Sequence, residues 1–194
     1  MPSTGVLAIQ GDFAAHARAI GRAGHVPRLV RGPADFAAID ALVLPGGEST
    51  AMLHGIARDR LDSPLRAFLS SGRPVLGTCA GAILLAASVS NPSQASFGAI
   101  DINVERNAYG TQLDSFDTIA ETDDPVSPFA GMRCVLVRAP RIIRTGSGVR
   151  VHARVGGFPA LVSGGPVWAA TFHCELTADC RVLRAVLDRP PPRT

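Results

Sequence analysis

Residues 74–85 have the sequence PVLGTCAGAILL, and this segment constrains the fold more than any other part of the chain. Its first apolar residues predict a buried strand, and the apolar run that follows Gly81 predicts a helix. Between them, Gly77 and Gly81 bracket Cys79 in the pattern of a strand–turn–helix elbow, with cysteine where many hydrolases carry serine. Such a turn strains the backbone of its central residue, and the glycines let the helix pass close behind the strand. The segment therefore predicts an α/β fold.

Cys79 is the candidate nucleophile of this elbow. Backbone N–H groups at the start of the following helix favour the thiolate, which is the reactive form of cysteine. Buried cysteines are also common in protein cores, where they act as small hydrophobic residues. The two glycines and the strand–turn–helix context favour the catalytic interpretation.

A cysteine nucleophile needs a base, and the base needs an orienting group. Residues 167–176 have the sequence VWAATFHCEL, which predicts a late buried strand that runs into His173 and Glu175. Residues two apart on an extended chain leave the same face, so Glu175 can orient the imidazole while the other ring nitrogen faces Cys79. The histidines without such a partner at this spacing are His16, His25, His54 and His152.

A third candidate segment, residues 41–50, has the sequence ALVLPGGEST. It predicts a strand, a turn at Gly46 and Gly47, and a helix that opens at Glu48. The glycine pair exposes backbone N–H groups that are able to form an oxyanion hole, although a plain tight turn has the same composition. A phosphate-binding loop is excluded, because the chain has no lysine and no G-x-G-x-x-G motif.

Further motifs point to a family. They are LAIQGDF at 7–13, LPGGEST at 44–50, RNAYG at 106–110, SFD at 115–117, VRAP at 137–140 and TFH at 171–173. With the cysteine elbow, they resemble the glutaminase subunit of pyridoxal 5′-phosphate synthase, a class I triad glutamine amidotransferase. The resemblance extends from about Gly5 to Leu187. The elbow alone fits any triad glutaminase, whereas the RNAYG box and the LAIQG opening are specific to this subunit.

The resemblance implies a role for each matching residue. Cys79 attacks the carboxamide of L-glutamine, His173 carries the proton to ammonia, and Glu175 holds His173. Backbone N–H groups of Gly47 and Ala80 form the oxyanion hole. The residues implied to bind glutamine are Gly47, Glu48, Ser49, Arg106, Val137 and Arg138. The implied partner is the synthase (lyase) subunit in a hetero-oligomer, and no cofactor and no metal are expected.

Two positions depart from the family pattern. The base is usually followed by proline and glutamate, but here Cys174 stands between His173 and Glu175. Proline stiffens a turn, so we expect a looser turn with every catalytic group retained. The RNAYG box is usually followed by arginine and glutamine, and Thr111 replaces that arginine. Residues 163–166, SGGP, predict a hairpin turn without a chemical role.

The composition indicates a compact enzyme in the cytoplasm. The chain of 194 residues is 46% hydrophobic and 18% charged, with 19 basic residues, all arginine, against 16 acidic ones. No two arginines are adjacent and there are one Trp and one Tyr, so nucleic-acid binding is not predicted. Cys174 and Cys180 lack the paired spacing of a zinc site. No signal peptide and no membrane-spanning segment are predicted.

The order of apolar runs predicts one domain over 1–188 and a disordered, proline-rich tail over 189–194. The expected fold is a three-layer α/β sandwich with a mostly parallel central sheet, helices on both faces and antiparallel edge strands supplied by the middle of the chain. The predicted strands are Val6–Ile9, Pro27–Val30, Ala41–Leu44, Val75–Leu76, Ala99–Val104, Thr118–Glu121, Cys134–Val137, Val149–Ala153, Ala160–Val162 and Val167–Phe172. The predicted helices are Asp12–Ala23, Ser49–Ala57, Leu61–Ser70, Ala80–Val89 and Ala178–Asp188.

Two alternatives to this function stay open. The chain could supply ammonia to a different acceptor, such as the amidotransferase that forms imidazole glycerol phosphate, although the box at 106–110 argues against it. It could also be a non-catalytic partner protein that keeps the fold without the chemistry. The presence of Cys79, His173 and Glu175 argues against this second alternative.

Overall fold

The computed structural model describes residues 2–108 and 115–189 of the chain. The RNAYG box at 106–110 is thus covered in its first three residues, and Thr111 and residues 190–194 lie outside the described part. The longest helices in this part have 10 residues. None of its helices is long and apolar enough to cross a membrane.

Strands and helices alternate through the first half of the described chain, and strands dominate the second half. The strands are β1 (Ser3–Leu7), β2 (Val26–Val30), β3 (Ala41–Leu44), β4 (Val75–Thr78), β5 (Ala86–Ser90), β6 (Ile100–Glu105), β7 (Phe116–Ile119), β8 (Arg133–Leu136), β9 (Arg141–Thr145), β10 (Arg150–Val155), β11 (Phe158–Gly164) and β12 (Val167–Ala170). The α-helices are α1 (Phe13–Arg22), α2 (Ser49–Arg58), α3 (Asp62–Leu69), α4 (Ala80–Leu85) and α5 (Arg181–Leu187). Short 3₁₀ helices cover Pro33–Ala38 and Cys174–Leu176.

A seven-stranded sheet in the order β10-β11-β12-β4-β3-β1-β2 forms the centre of the molecule. The strands from β12 to β2 are mutually parallel, and β11 and β10 continue the sheet in antiparallel pairing at one edge. In this register Thr78 pairs with Ala170, and Gly77 pairs with Leu44. The carboxyl ends of β3, β4 and β12 therefore meet at one edge of the sheet, which is where ligands bind in open α/β folds. All three candidate segments of the sequence follow these ends.

The central sheet is covered on both faces, because successive strand residues point to opposite sides. In β3, Leu44 packs in the core that contains Met52 of α2, whereas its neighbour Val43 packs with Ile20 of α1. Helices α2, α3 and α4 contribute to the first of these cores, and α1 and α5 contribute to the second. The predicted three-layer sandwich is therefore confirmed.

The predicted helix Ala80–Val89 is wrong in its second half. Helix α4 ends at Leu85, and β5 begins at Ala86 and pairs in parallel with β6. Serine and valine are weaker helix formers than alanine and leucine, and the segment from Ser88 onward consists of them. The pairing with β6 then determines the strand. Strand β9 pairs with the other edge of β6, and it was not predicted.

The strands of the middle of the chain lie elsewhere than predicted. Only β10 joins the central sheet, whereas β5, β6 and β9 form a separate three-stranded sheet and β7 pairs with β8. Strand pairing between distant segments is a tertiary property, and the alternation of apolar residues within a strand does not identify its partner. The hairpin predicted at 163–166 is present, because β11 and β12 are antiparallel neighbours on either side of that turn.

Candidate active site

Cys79 lies in the turn between β4 and α4 with φ +48° and ψ −106°. This conformation is strained for any residue other than glycine, and strain of this kind concentrates at functional sites. The Cys79 N–H donates to the carbonyl of Ala170 over 2.8 Å, which ties the turn to the end of β12. The side chain is 5% exposed, and its Sγ lies 3.8 Å from the carbonyl oxygen of Val137. The predicted strand–turn–helix elbow is therefore present.

The two glycines around Cys79 are required by close packing. A Cβ atom at Gly77 would lie 2.6 Å from the carbonyl carbon of Gly81, and one at Gly81 would lie 2.1 Å from the carbonyl oxygen of Leu44. Contacts this short do not occur between real side chains and backbone, so α4 approaches β4 and β3 closely only because both positions lack a side chain. The glycines thus fix where the helix begins and where Cys79 points.

His173 and Glu175 form a buried pair after the end of β12. The Nδ1 atom of His173 lies 2.6 Å from Oε1 of Glu175, and the two side chains are 10% and 0% exposed. The imidazole packs against Gly46, where a Cβ atom would lie 2.4 Å from its Cε1 atom. A side chain at position 46 would therefore displace the ring.

The pair forms through a different geometry from the predicted one. Strand β12 ends at Ala170, and His173 caps a 3₁₀ helix over Cys174–Leu176 with φ −100° and ψ 88°. Glu175 thus folds back onto His173 through a tight turn, and the two residues do not alternate along a strand. The two side chains are in contact, as the sequence analysis expected, but the reason given for it from an extended chain is wrong.

The charges of the site support one another. Burial alone lowers the pKa of His173, but hydrogen bonds and charge from Cys79 and Glu175 outweigh it and raise this pKa to about 10. Burial alone raises the pKa of Glu175, but hydrogen bonds from His16 and His173 outweigh it and lower this pKa to about 2. At neutral pH the site therefore holds an imidazolium against a carboxylate, the arrangement that stabilises a protonated base in a triad.

Cys174→Pro should leave turnover unchanged or raise it slightly. Cys174 is the first residue of the 3₁₀ helix, a position where the missing N–H of proline is tolerated. The backbone of His173 is outside the helical region, as a residue before proline requires. Steady-state rates of glutamate formation measure the effect. A tenfold fall in kcat would show instead that the buried Cys174 thiol helps to hold the turn.

His16 also contacts the pair, although the sequence analysis did not select it. Its Nε2 atom lies 2.9 Å from Oγ1 of Thr78 and 3.3 Å from Oε2 of Glu175. Both partners are far from His16 in the chain, so no local spacing reveals them. One signal was available: His16 lies among Ala15, Ala19 and Ile20 on the buried face of the amphipathic helix α1.

A cleft of about 150 Å³ opens above Cys79. It has the size of an amino acid rather than of a drug-sized ligand, for which cavities of about 300 Å³ or more are usual. The residues that line it in the described part of the chain are Gly47, Glu48, Ser49, Cys79, Ile83, Arg106, Asn107, Val137, Arg138 and His173. All six residues implied to bind glutamine thus line one cleft with Cys79 and His173. Ile83 and Asn107 were not predicted.

Two of these predicted binding residues are paired with each other. Glu48 caps α2 by accepting from the N–H groups of Thr50 and Ala51, and Arg106 lies 3.2 Å from its Oε1 atom. Burial raises the pKa of Glu48, but the two backbone bonds and Arg106 outweigh it and lower the pKa. Ser49 is buried and its hydroxyl donates to Gln94 over 2.9 Å. The cleft therefore carries both signs of charge at its rim.

The predicted oxyanion donors lie in the two turns that follow β3 and β4. Ala80 is the first residue of α4, where a backbone N–H has no partner within the helix. Gly47 lines the cleft and has φ +153°. The carbonyl of the preceding Gly46 accepts from the N–H of Asp12 over 3.3 Å, and a Cβ atom at Gly11 would lie 1.9 Å from this oxygen. The LAIQGDF segment thus holds the glycine turn in place.

A second cavity, of about 430 Å³, lies away from this chemistry. It includes His152, whose ring stacks on Trp168 at 4.3 Å and whose Nε2 atom lies 2.8 Å from Ser163 Oγ. Burial, followed by the charges of Arg150 and Arg189, lowers the pKa of His152 to about 4. Within the described part of the chain, no group of three or more His, Cys, Asp or Glu side chains could hold a metal ion.

Residues 6–188 match the family model of the SNO glutamine amidotransferases. The chain belongs to the SNO glutamine amidotransferase family. The resemblance found in the sequence is confirmed over nearly the whole length.

Three curated relatives of this chain carry the same name. Proteins called pyridoxal 5′-phosphate synthase subunit PdxT are 48% identical in Solibacter usitatus, 45% in Frankia casuarinae and 42% in Thermotoga neapolitana. The alignments cover 94%, 96% and 95% of this chain and 96%, 94% and 97% of the relatives, in the same order.

Solved structures agree with this family. A crystal structure of a glutamine amidotransferase is 39% identical, has a TM-score of 0.86 and covers 95% of this chain and 97% of its own. A glutamine amidotransferase from Thermotoga maritima is 15% identical with a TM-score of 0.59, over 96% of this chain and 82% of its own, and shares the fold.

Proposed function

We propose that this chain hydrolyses L-glutamine to glutamate and ammonia with Cys79, His173 and Glu175, and that the ammonia passes to a synthase subunit that makes pyridoxal 5′-phosphate. One observation carries the catalytic part: a strained cysteine shares a cleft with a histidine whose Nδ1 lies 2.6 Å from a buried glutamate. Family membership and the name shared by the relatives support the substrate and the destination of the ammonia.

The first half of the reaction forms a thioester. The Cys79 thiolate attacks the carboxamide carbon, a C–S bond forms, and the carbonyl electrons move onto oxygen. Backbone N–H groups of Gly47 and Ala80 stabilise this oxyanion. His173, which holds a proton at neutral pH, gives it to the departing nitrogen, so the C–N bond breaks and ammonia leaves.

The second half releases glutamate. His173 is now neutral and takes a proton from water, whose oxygen attacks the thioester carbon. The C–S bond breaks, which restores the Cys79 thiolate and the His173 imidazolium. Glu175 stabilises the imidazolium throughout and fixes the ring so that Nε2 faces the reacting atoms.

Recognition of the amino-acid end of glutamine uses the rim of the cleft. Arg106 and Arg138 offer guanidinium groups to the α-carboxylate, and Glu48 or backbone carbonyls offer acceptors to the α-ammonium. Because Arg106 is paired with Glu48 in this structure, binding would exchange part of that ion pair for contacts with the zwitterionic substrate. Ser49 and Val137 complete the wall beside Cys79.

The partner would be a synthase subunit in a hetero-oligomer, located in the cytoplasm. Ammonia that escapes into water is protonated and loses its nucleophilicity, and hydrolysis without an acceptor consumes glutamine to no effect. We therefore propose that docking activates the site through the peptide between Gly46 and Gly47. A glycine pair can reorient a peptide at little steric cost. Here the Gly46 carbonyl accepts a hydrogen bond from the Asp12 N–H, so reorientation of the peptide would break that bond.

Glutamine hydrolysis should rise about 10²–10³-fold when the synthase subunit is present, which is the cost of one misplaced oxyanion donor. The test measures ammonia and glutamate at saturating glutamine for the chain alone and for the purified complex. Equal rates with demonstrated complex formation would contradict activation and leave a constitutive glutaminase. Absence of hydrolysis in both samples would contradict the glutaminase itself and favour a non-catalytic partner.

A further inference from the structure

His16 is a fully buried imidazole without an assigned role. Its side chain and that of Glu175 are both 0% exposed. Histidine is seldom buried this deeply without a polar partner. The two neighbours of its Nε2 atom are Thr78, which directly precedes Cys79, and Glu175. Helix α1 thus contacts the nucleophile turn and the triad acid through one atom.

The hydrogen-bond network assigns the proton of His16 to Nε2. Its Nδ1 atom is buried and has no hydrogen-bond partner among the described residues. A proton on Nδ1 would leave a buried donor unpaired, whereas a bare nitrogen there leaves only a weaker acceptor unused. The Nε2–H group then donates to Thr78 Oγ1, and the same nitrogen lies 3.3 Å from Glu175 Oε2, within ion-pair distance.

Glu175 needs such a donor. Its Oε1 atom is engaged by His173, and its Oε2 atom is buried without a hydrogen bond among the described residues, with His16 Nε2 within ion-pair distance at 3.3 Å. A carboxylate held at one oxygen can still rotate about its terminal bond. A donor at the second oxygen removes that freedom and keeps Oε1 on His173 Nδ1. The lowered pKa of Glu175 agrees with two donors that outweigh its burial.

We propose that His16 is a positioning residue for the glutaminase reaction, which holds the Glu175 carboxylate against His173 and anchors the strand end that carries Cys79. The inference rests on the proposed function. Among the described residues His16 does not line the cleft, and the polar contacts of its side chain are to Thr78 and Glu175, so it acts through these two residues. Its loss should therefore lower kcat and leave KM nearly unchanged.

The first experiment compares His16→Gln with His16→Asn in the complete chain with its synthase subunit. Both variants bury the same carboxamide, but the longer glutamine can place an N–H where Nε2 stands, and asparagine cannot. We expect kcat to fall by about tenfold to a hundredfold in His16→Asn, the range for a lost hydrogen bond to a charged group, and by less than about threefold in His16→Gln. Equal kcat values in the two variants would overturn the proposal.

The matched control is His25→Asn, because His25 is also a buried histidine paired with a carboxylate, at 2.9 Å from Asp188 Oδ1. His25 follows the C-terminal end of α1, Asp188 follows α5, and neither residue lines the cleft. His25→Asn should keep kcat within about twofold of wild type. A loss like that of His16→Asn would assign the effect to general loosening of α1 and overturn the proposal.

A second readout separates positioning from structure and needs no turnover. Alkylation of Cys79 by iodoacetamide, followed residue by residue with mass spectrometry, reports its thiolate. A misplaced Glu175 supports the His173 imidazolium less well, so His16→Asn should slow alkylation of Cys79 several-fold. A merely loosened structure would speed it, together with the buried Cys134 and Cys174, and would overturn the proposal. The alkylation rate can be measured even if the wild-type protein releases no ammonia. Failure of the proposed glutaminase function can therefore be told apart from failure of the proposed role of His16.

Discussion

Replacing Cys79 with alanine should lower ammonia release from glutamine by about 10⁴-fold or more, because a covalent nucleophile has no substitute in the cleft. The fold should persist. Alanine fits the space of the cysteine and meets the same positive φ, and the contacts of Gly77 and Gly81 that shape the turn are unchanged. The measurement is glutamate formation by the complex, with thermal unfolding of each variant to check the fold.

The other cysteines provide the controls. Burial, reinforced by the charge of Asp179, raises the pKa of Cys134 to about 12, and burial raises that of Cys174 well above its usual value. These thiols stay protonated and unreactive at neutral pH. Cys134→Ala and Cys174→Ala should therefore retain turnover within a few-fold. Ammonia release by Cys79→Ala within about tenfold of wild type would exclude the proposed mechanism.

The elbow could be predicted from sequence because its constraints are local. Gly77, Cys79 and Gly81 lie within one strand–turn–helix unit, and the requirement for glycine follows from backbone packing around that turn. The meeting of the three candidate segments at one edge of the sheet could also be predicted, because it follows from the parallel order of the strands. Parallel strands end at one edge of the sheet, so the residues after β3, β4 and β12 meet there whatever their loops contain.

The remaining features depend on contacts between distant segments. The role of His16 rests on Thr78, 62 residues away, and on Glu175, which is still farther along the chain. Strand β5 forms because β6 is beside it, although its alanines alone favour a helix. Glu175 reaches His173 through a 3₁₀ turn, and nothing in the spacing of two residues separates that turn from an extended strand. Local patterns identify residue types and periods, whereas partners are set by the tertiary fold.

Replacing Glu175 with glutamine should lower kcat by about 10⁴-fold at neutral pH with little change in KM, by analogy with removal of the charge from other triad acids. The carboxamide keeps the size of the carboxylate but removes its charge. It also meets donors on both sides, since His173 Nδ1–H and His16 Nε2–H each face one oxygen in the wild-type chain. The carboxamide NH₂ must then face one of these N–H donors, or His173 must adopt its other tautomer. Either change disturbs His173 as the base.

The pH dependence of the Glu175→Gln variant shows whether Glu175 raises the pKa of His173. Hydrogen bonds and charge from Cys79 and Glu175 together raise the pKa of His173 to about 10, so wild type should keep the imidazolium that protonates the departing carboxamide nitrogen until the pH approaches that value. Without the carboxylate this pKa falls, and the alkaline loss of activity should begin at lower pH. Glutamate formation from pH 6 to 10.5 measures the shift, and Glu121→Gln, a carboxylate bound to the Gly156 and Gly157 N–H groups outside the cleft, is the control. Normal turnover and an unshifted alkaline limb in Glu175→Gln would mean that another group holds His173.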